Sequence, residues 1–283
     1  MAKIDCFSYF NEVELLELRL TLLWDKIDLF VITEGDHTHA GDRKQLTLEK
    51  TISDLGFPMD KIVVESVFMP NKHQQVDPWV RERMQRDAAV KYMRYGDVAF
   101  FSDCDEIWNP DLIDSNTIKA IYNPDTIYFF AMWNLMGRAD LMVGNKEGYM
   151  GLTKGPFVAL YHHIKDHKPS DIRESAAYRD VNATINGDFG LKYNCEYSME
   201  GEHFVLENGW HFSWMGGQNR MKLKSSSFAH AYDEIKYQDG NIPKVGGHDP
   251  LGREDHVLYQ FDTNLLPQMI YERPHLKQYF LPE

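Results

Sequence analysis

"DPWVRERMQRDAAVKYMRYGDVAFFSD", residues 77–103, sets a helix against a buried strand, and its reading decides the fold class. Asp77 is a helix cap, Pro78 stands at the first helical position and Gly96 is the stop. "DVAFFSD" then runs apolar through Phe101 without alternation, as a strand covered on both faces does. Toward the N-terminus the pattern repeats. "KIDCFSYF" (3–10) reads as a strand, and "DLFVITEG" (28–35) and "KIVVESVF" (61–68) as two more. Between the first two, "NEVELLELRLTLLWDKI" (11–27) reads as a helix with Leu16, Leu20 and Leu23 on one face and Asn11 as N-cap. Strands alternating with helices predict an α/β fold with a mainly parallel, twisted sheet and helices on both faces.

Toward the C-terminus the pattern loosens. "TIYFFAMWNLM" (126–136) and "GPFVALYHHI" (155–164) read as strands, and "SSFAHAYDEIKYQ" (226–238) as a helix. Residues 165–208 are polar and turn-rich, and "KVGGHDPLGRED" (244–255) is a loop. Without repeats, low-complexity tracts or linkers, the 283 residues read as one domain. Residues 1–110 form its nucleotide-binding type of half, and 111–283 its less regular half.

Composition narrows the function classes. Apolar residues make up 43%, enough for a sizeable core, and the formal charge of −13 is the wrong sign for a broad nucleic-acid surface. Three cysteines, Cys6, Cys104 and Cys195, have no metal-ligand spacing and no even count for a disulfide framework. The N-terminus "MAKIDCFSYF" lacks the pattern of a signal peptide, and no segment has the length of a membrane span. The expectation is a soluble, cytoplasmic protein.

The acidic turn that ends the strand, Asp103-Cys104-Asp105-Glu106, is the strongest chemical signal. Open parallel sheets bind ligands at the carboxyl ends of their strands. Crowded carboxylates raise one another's pKa unless a cation neutralises them. Hard cations such as Mg²⁺ or Mn²⁺ take one or two carboxylates together with substrate phosphates. Asp103 and Asp105 are therefore candidate ligands of a cation that bridges to a diphosphate. A solvated acidic turn is the commoner meaning of a bare DxD triplet, so the rest of the chain must decide between the two.

Five segments resemble glycosyltransferase family 17: "YFNEVELLELRL" (9–20), "DLFVITEGDHTHAG" (28–41), "WVRERMQRDA" (79–88), "FFSDCDEI" (100–107) and "GWHFSWMGG" (209–217), the last followed by "KLKSSSFAH". The resemblance implies a GT-A type fold, a UDP-sugar donor, a DxD-held Mn²⁺ or Mg²⁺ and inversion at the anomeric carbon. The family's donor is UDP-N-acetylglucosamine, and its best-known member modifies the core mannose of N-glycans. A nucleotide sugar and a glycan acceptor are the implied partners, with the acceptor in the half over 111–283.

Other residues join the candidate site. His211 in "GWHFSW" is similar to the late-chain histidine that completes the metal site in GT-A enzymes, although a lone histidine among aromatics is more often packed in the core. Gly216 and Gly217, then Arg220, Lys222 and Lys224, can close over a diphosphate, or form a plain turn and a solvated basic helix face. Arg83 and Arg86 lie on the helix that precedes the acidic strand and offer bidentate contacts to phosphate or carboxylate. Glu34 ends a strand and can accept from a uracil N3–H or a ribose hydroxyl; Asn11 and Glu12 are similar candidates, and Lys44 can reach phosphate. The general base is sought among Asp140, Asp171, Asp188, Glu200 and Glu202, with Glu202 first for its nearness to "GWHFSW", or among His162, His163 and His167. "HHIKDH" (162–167) reads as a surface loop rather than a zinc site.

Three functions compete for this sequence. The favoured one is a metal-dependent inverting glycosyltransferase. The second is a DxD phosphohydrolase with Asp103 as nucleophile, weakened by Glu106 and Ile107 where a small hydroxyl residue is expected. The third is a non-catalytic, metal-dependent carbohydrate-binding module that stacks sugars on aromatics near Trp133 and Trp214.

Overall fold

The structure is a computed structural model and describes residues 1–122, 126–147, 152–153, 155–176, 185–186, 192–196, 198–200, 203–205, 208–229 and 243–282. The elements of the first half are β1 (Lys3–Tyr9), α1 (Val13–Leu23), β2 (Leu29–Gly35), α2 (Leu48–Asp54), β3 (Ile62–Val67), α3 (Pro78–Asp87), β4 (Val98–Phe101) and β5 (Glu106–Trp108). Next come α4 (Ile113–Tyr122), β6 (Thr126–Phe130), β7 (Met132–Met136), β8 (Leu141–Gly144), β9 (Leu152–Thr153), β10 (Phe157–Leu160), α5 (Tyr161–Asp166) and α6 (Pro169–Ala176). The remainder holds β11 (Ile185–Asn186), β12 (Lys192–Glu196), β13 (Ser198–Glu200), β14 (His203–Val205), β15 (Gly209–Ser213), α7 (Gly217–Ser227), β16 (Val257–Gln260), α8 (Met269–Glu272) and α9 (Pro274–Phe280).

Among the described residues, the main sheet has the order β11-β12-β6-β10-β4-β1-β2-β3. β3, β2, β1 and β4 run parallel, as the alternating pattern predicts. β10 then enters antiparallel between β4 and β6. Both faces of this sheet are covered. Phe7, Phe30, Ile32 and Phe100 lie in one core with Leu16, Leu20 and Leu23 of α1 and Leu48 and Ile52 of α2. Their strand neighbours Cys6, Val31 and Phe101 lie in the other, with Ala89, Ile164 of α5 and Ile172 of α6. Alternate side chains of one strand point to opposite faces, so two helical layers require strands that are apolar throughout.

A second sheet, in the order β16-β8-β7-β15-β5, is not expected from the sequence. It is antiparallel except where β15 pairs with β7. "TIYFFAMWNLM" is accordingly two strands: β6 serves the main sheet and β7 the second, with the break at Ala131. The chain makes the same passage at the acidic turn, where β4 ends in the main sheet and β5 begins in the second. Residues 102–105 therefore occupy the junction of the two sheets, at the carboxyl end of a parallel strand.

Several local expectations are corrected. Asp77 does cap α3 through Trp79 N–H, but the helix stops at Asp87, and a short 3₁₀ turn over Ala88–Tyr92 precedes the turn at Gly96. The N-cap of α1 is Glu12, without a side-chain cap bond, and Asn11 holds φ 136°. "GPFVALYHHI" leaves its strand at Leu160, and the histidine-rich segment is helical, with His163 buried. The helix after "GWHFSWMG" is α7, while most of "SSFAHAYDEIKYQ" lies outside the described residues. Among the described residues no helix is long and apolar enough to cross a membrane.

Candidate active site

The acidic turn is held from below by a buried arginine. Arg19 of α1 is fully buried and forks onto Asp5 of β1, with Nε and Nη2 at 2.8 and 2.6 Å from its two oxygens. Asp5, Phe7 and Tyr9 alternate toward the α1 side of the sheet, which places Asp5 under the helix. The same guanidinium donates to the Asp103 and Glu106 carbonyl oxygens at 2.7 and 3.0 Å and to Ser102 Oγ at 2.6 Å. A planar fork with five donors can satisfy this many acceptors at once, whereas a lysine cannot. Arg19 thus fixes the backbone of the turn from a position that no local spacing reveals.

Above the turn, each carboxylate meets a cation. Asp103 accepts from Arg86 Nη2 of α3 at 3.0 Å and from Arg173 Nη2 of α6 at 2.8 Å. Arg173 also forks onto Glu106, with both contacts at 2.8 Å. Glu106 is 1% exposed, and it accepts in turn from Asp103 N–H. Asp105 pairs with Lys224 Nζ of α7 at 2.7 Å, and its other oxygen lies 3.6 Å from His211 Nε2 of β15. Burial pushes the Asp103 carboxyl up, but Arg173 and Arg86 outweigh it and lower it to about 2. Burial acts upward on Asp105 as well, and Lys224 and His211 hold it far below the usual carboxylate range. The charged form of His211 is disfavoured by burial but favoured more by Asp105, so its pKa is raised.

These groups wall a cavity of about 480 Å³, a size that admits a small-molecule ligand. The ends of β1 and β2 contribute Ser8, Tyr9, Phe10, His37 and His39. Gln85 of α3 ties those ends together, donating to the Tyr9 and Thr33 carbonyls at 3.1 and 2.9 Å, while its carbonyl oxygen meets His39 Nε2 at 3.0 Å. Arg81 holds the loop that carries His39, donating to the His39, Pro70 and Asn71 carbonyls. Asn134, His211 and Trp214 line the side formed by the second sheet. The register sets His211 between Glu106 of β5 and Asn134 of β7. Arg86 Nε and Asn134 Oδ1 are buried without a hydrogen-bond partner. Such orphaned atoms cost about 1–3 kcal/mol each and mark places where a ligand can supply the partner. A loop over 249–256 closes a further side, bringing Leu251, Arg253 and His256 to the cavity.

The expected site residues divide. Asp103, Asp105, His211, Arg86 and Glu12 line the cavity together. Glu34 does not line it: it is 1% exposed and accepts from Lys44 Nζ at 2.6 Å and from Thr47 and Leu48 N–H groups at the start of α2. That placement is at odds with Glu34 meeting a base or ribose and with Lys44 meeting phosphate, since each satisfies the other. Arg83 points to Glu174 instead. Asn11 contributes its carbonyl oxygen to Arg220 at 2.6 Å. Gly216 caps α7 with φ 86°, and a Cβ there would lie 2.4 Å from the Tyr279 ring, so its role is close packing, while Gly217 follows with φ 77° as the first residue of α7. Lys222 is on the exposed side of α7, and Lys224, two residues on, reaches the cavity. Glu202 and Asp188 lie outside the described residues. Trp214 is 5% exposed and Trp133 packs edge-on against Phe261, so neither offers the open stacking surface of a sugar-binding module. Arg19 and Arg173 carry no local signature in the sequence, and the loop over 244–255, though legible as a loop, carries none that places it at the cavity.

The donor set can be tested against a divalent cation. Asp105 and His211 offer a carboxylate oxygen and an imidazole nitrogen facing each other inside the cavity, and substrate phosphates and water commonly complete such a sphere. The fit extends to these two. Asp103 has both oxygens tied to arginines, and among the described residues no group of three or more His, Cys, Asp or Glu is arranged to hold a metal. Asp103 as a direct ligand requires Arg86 or Arg173 to release one of its oxygens.

Residues 3–153, just over half of the chain, match the family model described as Glycosyltransferase family 17. The match takes in the four N-terminal resembling segments and ends before "GWHFSWMGG". Among curated proteins none matches. Of 97 solved chains that match, one is described as "Crystal structure of S. aureus TarS 1-349". It is 14% identical with a TM-score of 0.38, over 69% of this chain and 60% of that one.

Proposed function

The chain belongs to glycosyltransferase family 17, and from that premise we propose that it is a metal-dependent inverting transferase of the GT-A type. Its donor is a UDP-sugar, most simply UDP-N-acetylglucosamine, and its acceptor is a glycan hydroxyl. The observation that carries this reading is the convergence of Asp105, His211, Lys224, Arg86 and Arg173 on one cavity at the carboxyl ends of the parallel strands. Cations facing a pocket of this size suit a diphosphate leaving group better than a neutral sugar alone. Asp105 and His211 would hold Mn²⁺ or Mg²⁺, which when bound offsets the charge that grows on the leaving diphosphate. Lys224 exchanges its contact with Asp105 for one with phosphate. Arg86 presents a buried Nε without a partner in the same wall. Arg173 holds Glu106 and Asp103 in place, and Asp103 is left to accept from donor hydroxyls.

No observation favours the phosphohydrolase reading. A nucleophilic Asp103 would have to attack through an oxygen whose charge an arginine already offsets, which weakens it as a nucleophile.

The test is calorimetry of UDP and UDP-N-acetylglucosamine with and without Mn²⁺. Binding is expected to strengthen with Mn²⁺. Asp105→Ala is expected to retain its fold by circular dichroism and to lose that Mn²⁺-linked gain, by about 10-fold or more. If no nucleoside diphosphate or nucleotide sugar binds in either condition, the transferase reading fails. Unchanged Mn²⁺ linkage in Asp105→Ala removes Asp105 from the metal site.

A further inference from the structure

An inverting transfer needs a group that takes the proton of the acceptor hydroxyl. The carboxylates at the acidic turn do not qualify: Asp103, Asp105 and Glu106 are each bonded to arginine or lysine. A base is therefore sought on the other walls of the same cavity, where Glu12, His37, His39 and His256 stand.

We infer that His256, oriented by the buried carboxylate of Asp249, is the general base that deprotonates the acceptor hydroxyl; this rests on the transferase reading above. His256 lines the cavity together with Asp105, His211 and Lys224. Its Nδ1 lies 3.0 Å from Asp249 Oδ2. Asp249 is 0% exposed, and the loop is folded around it. Its Oδ1 accepts from the N–H groups of Leu251 and Arg253 at 3.1 and 3.0 Å, and Oδ2 also accepts from Arg253 Nε. The main chain of the loop is pinned by Gly252 N–H to the Asp249 carbonyl at 2.8 Å, and by His248 pairing with Val257.

The chemistry follows from this packing. Burial raises the Asp249 carboxyl, but its bonds with His256 and Arg253 outweigh burial and hold it below the usual range, so it is ionised. An ionised carboxylate only accepts, so Nδ1 must carry the hydrogen and Nε2 is the basic nitrogen. A buried carboxylate that fixes the tautomer and supports the imidazolium is the arrangement of histidine bases in acyl transfer. In the proposed step the acceptor O–H bond breaks and its proton passes to Nε2. The oxygen lone pair forms the new bond to the anomeric carbon. The bond from that carbon to the diphosphate oxygen breaks, and its electron pair leaves with the diphosphate. The imidazolium is held by Asp249 and returns its proton to solvent.

Besides His211 with Asp105, a further histidine–aspartate pair touches the cavity, His37 Nδ1 with Asp36 Oδ1 at 2.8 Å. It follows β2 in the nucleotide-binding half, whereas His256 belongs to the half expected to meet the acceptor. The two predict different outcomes.

The experiment uses the full chain with UDP-N-acetylglucosamine and Mn²⁺. UDP release is followed with water and with a panel of methyl hexosides as acceptors, and UDP affinity is measured on the same samples. In His256→Gln, UDP affinity is expected to stay within about 2-fold of the unaltered protein while turnover falls about 10²–10⁴-fold. The acid limb of the kcat/KM profile is expected to vanish from its residual activity, and added imidazole to restore part of the turnover of His256→Ala. Asp249→Asn is expected to lower turnover through the wrong tautomer. A further measurement needs no variant: imidazole ¹⁵N shifts of His256 are expected to report the Nδ1-protonated form, and an Nε2-protonated form overturns the inference. It is also overturned if His256→Gln keeps both turnover and acid limb, or if Glu202→Gln or His37→Gln loses that limb instead. A protein that binds UDP but never turns the donor over has no proton transfer for His256 to serve, which overturns it as well. A protein that binds no UDP at all fails at the earlier reading, so the two failures are distinguishable.

Discussion

Arg173 decides how much negative charge the acidic turn can hold. It touches Glu106 and Asp103 at once, from 67 and 70 positions away in the chain. Glu106 is almost wholly buried, so removing its partner leaves an uncompensated charge in the interior. Arg173→Ala is expected to lower the free energy of unfolding by about 3–5 kcal/mol, read from urea denaturation. Adding Glu106→Gln to that variant is expected to recover part of the loss, because the stranded charge is then gone. If Arg173→Ala unfolds like the unaltered protein, Glu106 does not depend on it. The carboxylates themselves were legible in the sequence, since a DxD triplet after an apolar strand is a local pattern. Of their cations, Arg86 and Lys224 stood among the candidates, but Arg173 did not, because no spacing rule joins positions 103 and 173.

At the scale of elements, the site depends on how closely β15 approaches β5. Gly209 opens β15 with φ 149°, and a Cβ built there would lie 2.2 Å from the Ile107 carbonyl oxygen of β5. The neighbour is backbone and cannot swing aside. His211 sits two residues on, paired with Glu106 across the same ladder. Gly209→Ala is expected to cost more than about 1 kcal/mol of stability and to weaken the Mn²⁺-linked UDP affinity, because the ladder that carries His211 is pushed off Glu106. Normal affinity together with lost stability would show that the strand shift does not reach the histidine. Of this region the sequence showed strands and a histidine between aromatics. It did not show that "TIYFFAMWNLM" serves two sheets, because alternation tells which residues share a face and not which sheet a strand joins.

At the scale of the whole molecule, acid should loosen the fold through buried carboxylates. Asp103 is depressed from 3.8 to about 2, and Asp249 is depressed as well. A depressed carboxyl contributes stability that is fully present above its unfolded value and is lost as pH falls through the folded one. The thermal midpoint is therefore expected to fall between about pH 4 and pH 2, and Asp103→Asn to flatten that fall. Asp87, raised mainly by burial, acts in the opposite sense and costs stability once ionised. A midpoint that does not change across this window would show that these carboxylates are not held by their partners. By itself, the sequence determined the α/β class, the parallel order of its first strands and the placing of Asp103 and Asp105 at a strand end. Those features follow from periodicity, caps and apolar runs, which act over neighbouring residues. Only the tertiary structure decided that Arg19 supports the turn, that Arg86, Arg173 and Lys224 pair with it, and that His256, bonded to the buried Asp249, lines the same cavity from a late loop. Ion pairs form wherever packing brings opposite charges within a few ångströms, and the separations along the chain that packing bridges leave no period to read.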